Sequence, residues 1–300
     1  MTPPLSVIVP AYNAADLIEA TLTALHTQTV SAEIIVVDDA SNDATANRVS
    51  CYPDVHLCRL PRNLGRSGAR NAGAALATTE VLLFLDCDCV PVGTGFLAAH
   101  LALHDGTVEG TCGGIEALGQ SFWARYQNRP AAPQAEPVPL AAFSSANFSI
   151  RRSLFERLGG FDVGYRGYGF EDRDLYARLL ACGGTLLSAP AARVQHMDYV
   201  HLAHVWQRLQ ECGATSADRF RAAHPLQYRR MSYSRLDAGE HLALWPVGRS
   251  LGFLLPPTLA IIERLLQVEV IPFALRRAVA KAYAAAAFLH GTTRRSEQPG

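Results

Sequence analysis

The first half of the chain alternates short aliphatic runs with amphipathic ones. Leu5 to Val9 is almost continuously apolar, and so are Ile34 to Val37 and Val81 to Leu85. Runs this short, with no polar alternate, fit strands buried on both faces of a sheet. Val55 to Leu60 predicts one more strand. Between the strands, Ile18, Leu22 and Leu25 recur at helical spacing behind Asn13, a residue able to cap a helix, and Gly68 to Ala77 predicts a second helix. Strands and helices in alternation imply an α/β fold, a Rossmann-like, mostly parallel sheet flanked by helices.

The pattern then loosens. Gly95 to His104 reads as a helix and Thr111 to Ile115 as extended chain. Leu118 to Leu140 has little periodicity and gathers Pro130, Pro133, Pro137 and Pro139. An unpatterned segment of that length inside a compact domain is more often functional than accidental. Phe143 to Ile150 returns to the core, and the glycine-rich Gly159 to Gly169 leads into a helix over Glu171 to Cys182. Tyr199 to Ala223 predicts a further helix, and the chain from His241 onward is rich in Leu and Ala. The expected organisation is one domain over 1–197 and a helical C-terminal region over 198–300, with Thr292 to Gly300 frayed.

Composition narrows the function classes. The 27 basic and 27 acidic residues cancel and form no long block, which argues against a nucleic-acid-binding face. Seven cysteines, an odd count without framework spacing, and an N-terminus without a basic-then-apolar leader lead to the expectation of a reducing, cytoplasmic setting. Leu251 to Ile262 is the most apolar stretch, but Pro256-Pro257 interrupts it and Glu263 and Arg264 follow. A spanning helix needs roughly twenty apolar residues, so the membrane question becomes one of surface attachment.

Two strand ends carry carboxylates, Asp38-Asp39 and Asp86-Cys87-Asp88. In open parallel sheets, ligands bind beyond the C-terminal strand ends. One such acid is commonly a turn former. Two at one rim repel unless a cation or ligand donors sit between them. Asp86-x-Asp88 can place two carboxylates near a hard divalent cation, magnesium or manganese, which can bridge phosphates. The interleaved Cys87 and Cys89 raise zinc as a rival, but no second cysteine pair lies at finger-like spacing. Asn63 to Gly68 has neither a P-loop ending nor a dinucleotide fingerprint. A third acidic cluster, Glu171-Asp172-Arg173-Asp174, opens the predicted helix. Acids are common in a first turn, and the helix dipole also keeps a waiting general base ionised there. His196 ends another apolar run. It is either a plain strand-end residue or a further metal ligand.

Val7-Ile8-Val9-Pro10-Ala11-Tyr12-Asn13, Val36-Val37-Asp38-Asp39-Ala40-Ser41, Ala69-Arg70-Asn71-Ala72-Gly73 and Leu85-Asp86-Cys87-Asp88, in that order, resemble the family 2 glycosyltransferases, whose fold is termed GT-A. Gly160-Phe161-Asp162 and Glu171-Asp172 extend the likeness to relatives that include galactosyltransferases, over residues 5 to 197 in all. The resemblance implies a nucleotide-sugar side over about 1–115 and an acceptor side with the catalytic base over about 116–197. It implies a nucleoside pocket lined by Pro10, Ala11 and Tyr12, with Asp39 accepting from a base, typically uracil. Asp86 would lie near the ribose and donor phosphates. Asp88, with His196 as third-ligand histidine, would hold a divalent metal, and Asp172 of the Glu171-Asp172 pair would be the base. The Gln-x-x-Arg-Trp motif of the processive members is missing: His204 to Leu209 reads His-Val-Trp-Gln-Arg-Leu, which implies single-sugar transfer.

The implied reaction moves a sugar from a nucleotide-diphospho-sugar to a glycan or lipid-linked acceptor. A sugar-phosphate nucleotidyltransferase would need a glycine-rich, basic loop where Pro10 to Asn13 stands. A catalytically silent binding relative would lack some of the acids present. At the C-terminus, Ile261, Ile262, Leu265 and Leu266 form an apolar stripe near Arg264, Arg276, Arg277 and Lys281. The stripe suits a helix packed on the core or in a homodimer, or one lying on an anionic membrane.

Overall fold

The computed structural model describes residues 4–104, 108–128, 133–197 and 200–295. The first part of the chain runs β1 (Ser6–Ala11), α1 (Ile18–His26), β2 (Glu33–Asp38), α2 (Thr45–Val49), β3 (Val55–Arg59), α3 (Gly65–Leu76), β4 (Val81–Leu85), β5 (Cys89–Pro91), α4 (Phe96–Leu101) and β6 (Gly110–Ala117). Next come α5 (Phe122–Gln127), β7 (Asn147–Arg151), α6 (Arg152–Arg157), α7 (Glu171–Ala181) and β8 (Leu186–His196). The chain continues as α8 (Leu202–Ala214), α9 (Ser216–Ala223), α10 (Pro225–Arg230), α11 (Trp245–Leu254), α12 (Leu259–Leu266) and α13 (Phe273–Thr292). It forms two compact units. The first comprises Met1–Leu118, Asn128–Val163 and Leu175–Asp198; the second comprises Gly119–Gln127, Gly164–Asp174 and Tyr199–Gly300.

The first unit is built on one sheet ordered β3-β2-β1-β4-β7-β6-β8-β5. The half formed by β3, β2, β1 and β4 is parallel, as the alternating pattern predicts. In the other half β7 enters antiparallel between β4 and β6, β8 runs parallel to β6, and β5 closes antiparallel on β8. The sheet is therefore mixed. Successive strand residues face opposite ways, and both faces are covered. Val7, Val9, Val36 and Leu83 pack with Ile18 and Leu22 of α1 and Phe96 of α4. Ile8, Ile35, Val37 and Phe84 pack on the other face with α3, α6 and Leu175 and Leu179 of α7. Burial on both faces is why these strands carry no polar alternate.

Several local expectations change. Asn13 does not cap α1, which starts at Ile18 with no side-chain cap. It adopts a left-handed φ of 49° instead. Its N–H donates to Ser41 Oγ at 2.9 Å and its Oδ1 accepts from Asn42 N–H at 3.0 Å, tying together the loops after β1 and β2. The single helix expected over Tyr199 to Ala223 is two, α8 and α9, broken at Thr215 (φ −124°, ψ −76°). Tyr199, Pro130 and the tail from residue 296 lie outside the described residues.

The largest departure is β8, which runs eleven residues and includes Pro190. Opposite β6 its register jumps from Gly113↔Ala189 to Gly114↔Arg193. Pro190, which has no N–H to offer a ladder, falls within the shift, where its absence costs little. A Cβ at Gly113 would run into Ala192 O and Asn147 Nδ2, so the close approach needs glycine. Asn147 Nδ2 donates to Ala192 O (2.9 Å) and Gly114 O (3.1 Å), bracing the irregularity. Its Oδ1 pairs with His100 Nε2 at 2.9 Å, and His100 Nδ1 pairs with Thr111 Oγ1 at 2.8 Å. A neutral imidazole protonated on Nε2 satisfies both contacts.

In the second unit Phe122, Trp123, Leu202, Leu266 and Ala280 form a core, and Glu263 accepts from Trp123 Nε1 at 3.0 Å. Asp237, fully buried, accepts from Tyr228 OH (2.6 Å) and Arg295 Nη1 (2.9 Å). No helix among the described residues is long and apolar enough to cross a membrane.

Burial pushes His100 down to about 4, whereas an unfolded imidazole titrates near pH 6.5. Between those values the unfolded chain binds the extra proton, so stability falls as pH falls, by up to ~1.4 kcal/mol per pH unit. Urea unfolding of wild type and His100→Gln across pH 7 to 4 should show the shallower pH dependence in the variant. Equal slopes would contradict the buried neutral imidazole.

Candidate active site

The parallel half of the sheet ends in a knitted rim. Asp39 N–H donates to Ala11 O at 2.8 Å, so the ends of β1 and β2 hold each other. Pro10 and Ala11 are the last residues of β1, and Tyr12 stands 51% exposed just beyond it. The Asp38-Asp39 pair splits by role. Asp38 is fully buried and braces the turn, accepting from Ser41 N–H (2.9 Å) and Arg59 Nε (3.0 Å). That bracing holds Ala40 at a left-handed φ of 61°, a conformation costing a non-glycine residue about 1–2 kcal/mol. Asp39 sends one carboxylate oxygen to Leu64 N–H (2.7 Å) and the other to Gly65 N–H (2.8 Å), anchoring the start of α3. Burial, with the neighbouring Asp38 charge, lifts its pKa despite those two donors.

Once anchored, α3 does three things. Gly73 lies so close to the sheet that a Cβ would strike Ile8. Asn71 clamps the Gly160-Phe161-Asp162 turn: Nδ2 donates to Phe161 O (2.8 Å) and Oδ1 accepts from Phe161 N–H (2.9 Å). Arg70, only 1% exposed, donates from Nη2 to Asp86 Oδ1 at 2.7 Å. Burial alone would raise the Asp86 carboxyl, but the charges of Arg70 and then Arg66 outweigh it and hold the carboxyl below its ordinary range. Motif spacing gave Arg70 no role of its own. The available signal was an arginine placed among Gly68, Ala69, Gly73 and Ala74 on the buried face of a helix.

The turn after β4 is held on two sides. Thr21 of α1 donates to Cys87 O at 2.8 Å, and Met197 N–H donates to Asp88 O at 2.8 Å. The β5–β8 pairing sets Cys89 opposite His196. It brings His196 Nε2 to 3.3 Å from Asp88 Oδ2 across more than a hundred residues of sequence. Ligand atoms of Asp88, Cys89 and His196 lie within 4.8 Å of one another. Two adjacent ligands of a small divalent ion, each at about 2.1 Å, sit roughly 3 Å apart, which the Asp88–His196 separation matches. Cys89 is fully buried whereas Asp88 and His196 are half-buried, so the cluster presents carboxylate and imidazole before its single thiol. The donor set fits manganese or magnesium better than a cysteine zinc site.

Glu171 and Asp172 open α7 and belong to the second unit, together with Asp174. The entry to the helix is shaped by left-handed Gly169 (φ 85°) and Phe170 (φ 71°). Phe170 is fully buried against Phe220 (ring centroids 4.9 Å) and Tyr233 (5.4 Å), contacts that offset its backbone strain. Asp174 is tied to His224 Nε2 at 2.8 Å. Glu171 is buried, whereas Asp172 is half-buried and accepts from Arg173 N–H at 2.7 Å. The structure thus gathers Asp86, Asp88 and His196 in the first unit, with Asp39 at the same sheet's strand-end rim, and places the carboxylate pair in the second.

Comparison with known proteins decides the family. A model described as glycosyl transferase family 2 matches residues 6–167, more than half of the chain. The chain belongs to glycosyltransferase family 2. A second model, the N-terminal domain of galactosyltransferase, matches residues 131–205 of this family 2 chain. Validoxylamine A glucosyltransferase from Streptomyces hygroscopicus subsp. jinggangensis is 30% identical over 271 residues, covering 74% of this chain and 61% of that protein. The chain spans between 33% and 61% of the length of such curated relatives. Among solved structures, the mannosyltransferase PcManGT from Pyrobaculum calidifontis, in complex with GDP-Man and Mn2+, aligns with a TM-score of 0.60 at 23% identity. That alignment covers 99% of this chain and 88% of the other. TarS 1-349 from S. aureus, in complex with UDP, aligns at 0.55 and 18% identity over 99% of this chain and 92% of that one. These likenesses show the GT-A fold.

Replacing Asp39 with alanine removes the acceptor of the Leu64 N–H and leaves the Gly65 N–H only Asn63 Oδ1 in this family 2 chain. We expect a loss on the order of 1–3 kcal/mol in denaturant unfolding, with faster hydrogen exchange at the Leu64 and Gly65 amides. Unchanged exchange at those amides would show that the carboxylate does not anchor α3.

Proposed function

We propose that the chain is a metal-dependent, inverting, non-processive glycosyltransferase using a UDP-sugar donor and an acceptor hydroxyl, in polysaccharide, glycolipid or other glycoconjugate synthesis. The observation that carries the reading is the Asp88–His196 pair at 3.3 Å, beside an Asp86 held ionised by Arg70. A UDP complex of TarS and a GDP-Man and Mn2+ complex of PcManGT lend support on the same fold.

Asp39 is an acceptor-only group when ionised. With one backbone N–H on each oxygen it keeps lone pairs for the imide N–H of uracil, at a rim where Pro10, Ala11 and Tyr12 can flank the base. Asp86 suits a ribose hydroxyl, and Asp88 and His196 are the residues that would hold the divalent cation. When bound, the cation supplies Lewis-acid stabilisation of charge on a departing diphosphate. Asp172, in the first turn of α7, is more accessible than Glu171, so it is the general base that takes the acceptor proton. Attack by that oxygen on the anomeric carbon, opposite the leaving group, inverts the centre in one displacement.

The test is a donor screen with UDP-sugars and GDP-mannose side by side, with and without manganese or magnesium, reading nucleoside diphosphate release and product configuration by NMR. We expect metal-dependent release from a UDP-sugar and an inverted linkage. Asp172→Asn should lower kcat by about 10²–10⁴ with donor affinity little changed. Failure to bind any nucleotide sugar would sink the reading. A product of retained configuration would remove Asp172 from the role of base.

A further inference from the structure

The second unit carries an apolar surface that its own core does not use. Helix α12 is apolar on two sides. Leu259, Ile262 and Leu266 point inward and pack with Trp123, Leu202 and Phe273. Ile261 and Leu265, spaced i and i+4, point the other way and are exposed. A helix with an apolar outer flank besides its packed face ordinarily meets a second apolar phase on that flank. The same exposure continues on both sides along the chain. Phe253 is 81% exposed and Leu254 follows it at the end of α11, while Val270 is 87% exposed before Leu275 on α13. Residues 242–275, about a ninth of the chain, hold ten of the seventeen exposed large apolar side chains among the described residues. That concentration separates the segment from the scattered exposure normal on a surface.

Charge identifies what the surface meets. Over residues 242–281 the exposed charged side chains are Arg249, Arg264, Arg277 and Lys281 against Glu269 alone, on a chain whose formal charge is zero. Glu263 is turned inward, accepting from Trp123 Nε1 and Leu202 N–H, and Arg276 is buried with Nη1 on Leu266 O. Arg249 lies over the ring of the exposed Trp245, at 5.4 Å, a pairing of cation and amphipathic aromatic suited to a lipid headgroup layer. A second copy pressed here would bring one segment of net positive charge against another of the same sign. An anionic bilayer offers both an apolar phase and compensating charge. No helix among the described residues is long and apolar enough to cross a membrane, so the contact argued for here is an interfacial one. We infer that the exposed face of α11, α12 and the start of α13 is a docking surface for an anionic phospholipid bilayer, into which Phe253, Ile261 and Val270 insert while the arginines engage headgroups. The inference stands apart from the proposed transfer reaction, since docking needs neither donor nor metal.

The experiment is flotation of the full chain with vesicles of phosphatidylglycerol and phosphatidylcholine, against phosphatidylcholine alone, at low and high salt. Wild type should float with the anionic vesicles, and high salt should weaken binding. Phe253→Ser with Ile261→Ser, and separately Arg264→Glu with Arg277→Glu, should each weaken it by about tenfold or more. All four side chains are exposed, so melting temperatures should match wild type and exclude misfolding. Flotation that fails in wild type, or survives both double variants, overturns the inference. So does light scattering that finds a dimer dissolved by the Phe253→Ser and Ile261→Ser pair with no flotation, which would give the surface to a second copy.

Discussion

Burying a guanidinium is costly, and the ion pair between Arg70 and Asp86, which offsets that cost, organises much of the first unit. Removing one partner of such a pair costs about 3–5 kcal/mol, because the other charge is left stranded. The pair therefore settles how α3 lies against the sheet and where the turn after β4 points. Around it, Asp39 fixes the first residues of α3, Asn71 fixes the Gly160-Phe161 turn, and the missing Cβ of Gly73 lets the helix approach Ile8. One helix thus connects three separated motifs.

The second constraint is the register of β8. Its strand end must reach Cys89 for His196 to stand beside Asp88, and the three-residue shift opposite Gly113 and Gly114 sets that reach. The shift is held by polar bonds rather than apolar packing. Asn147 grips Gly114 O of β6 and Ala192 O of β8, and His100 and Thr111 complete the buried network. A half-satisfied network there would be worse than none, since each orphaned group would carry its full desolvation penalty. The approach of His196 to Asp88 at the rim therefore depends on neutral polar groups well inside the sheet.

What could be read from the amino-acid order follows the same physics. β1, β2 and β4 are buried on both faces, so their aliphatic runs announce them, and the acids beyond β2 and β4 mark the strand-end rim without any partner being visible. β7 and β8 are another matter. Their pairing is non-local, β8 contains a proline, and no periodicity announces a strand with a three-residue shift. His196 accordingly looked like a strand-end residue with two readings, and only the pairing with β5 shows what it faces. Asn13 misled for a different reason: its side chain serves a loop-to-loop contact, which has the same residue preference as a helix cap. Arg70 sat in a legible motif, but its charge had no visible partner until α3 was placed.

The central claim is that β8 delivers His196 to Asp88 to make one divalent-cation site. Pulsed electron paramagnetic resonance on manganese bound to the wild-type chain with UDP reads that directly. The account predicts nitrogen modulation from a coordinated imidazole, lost in His196→Gln while the protein stays folded. Manganese bound with no nitrogen signal, or a signal unchanged in that variant, would contradict it.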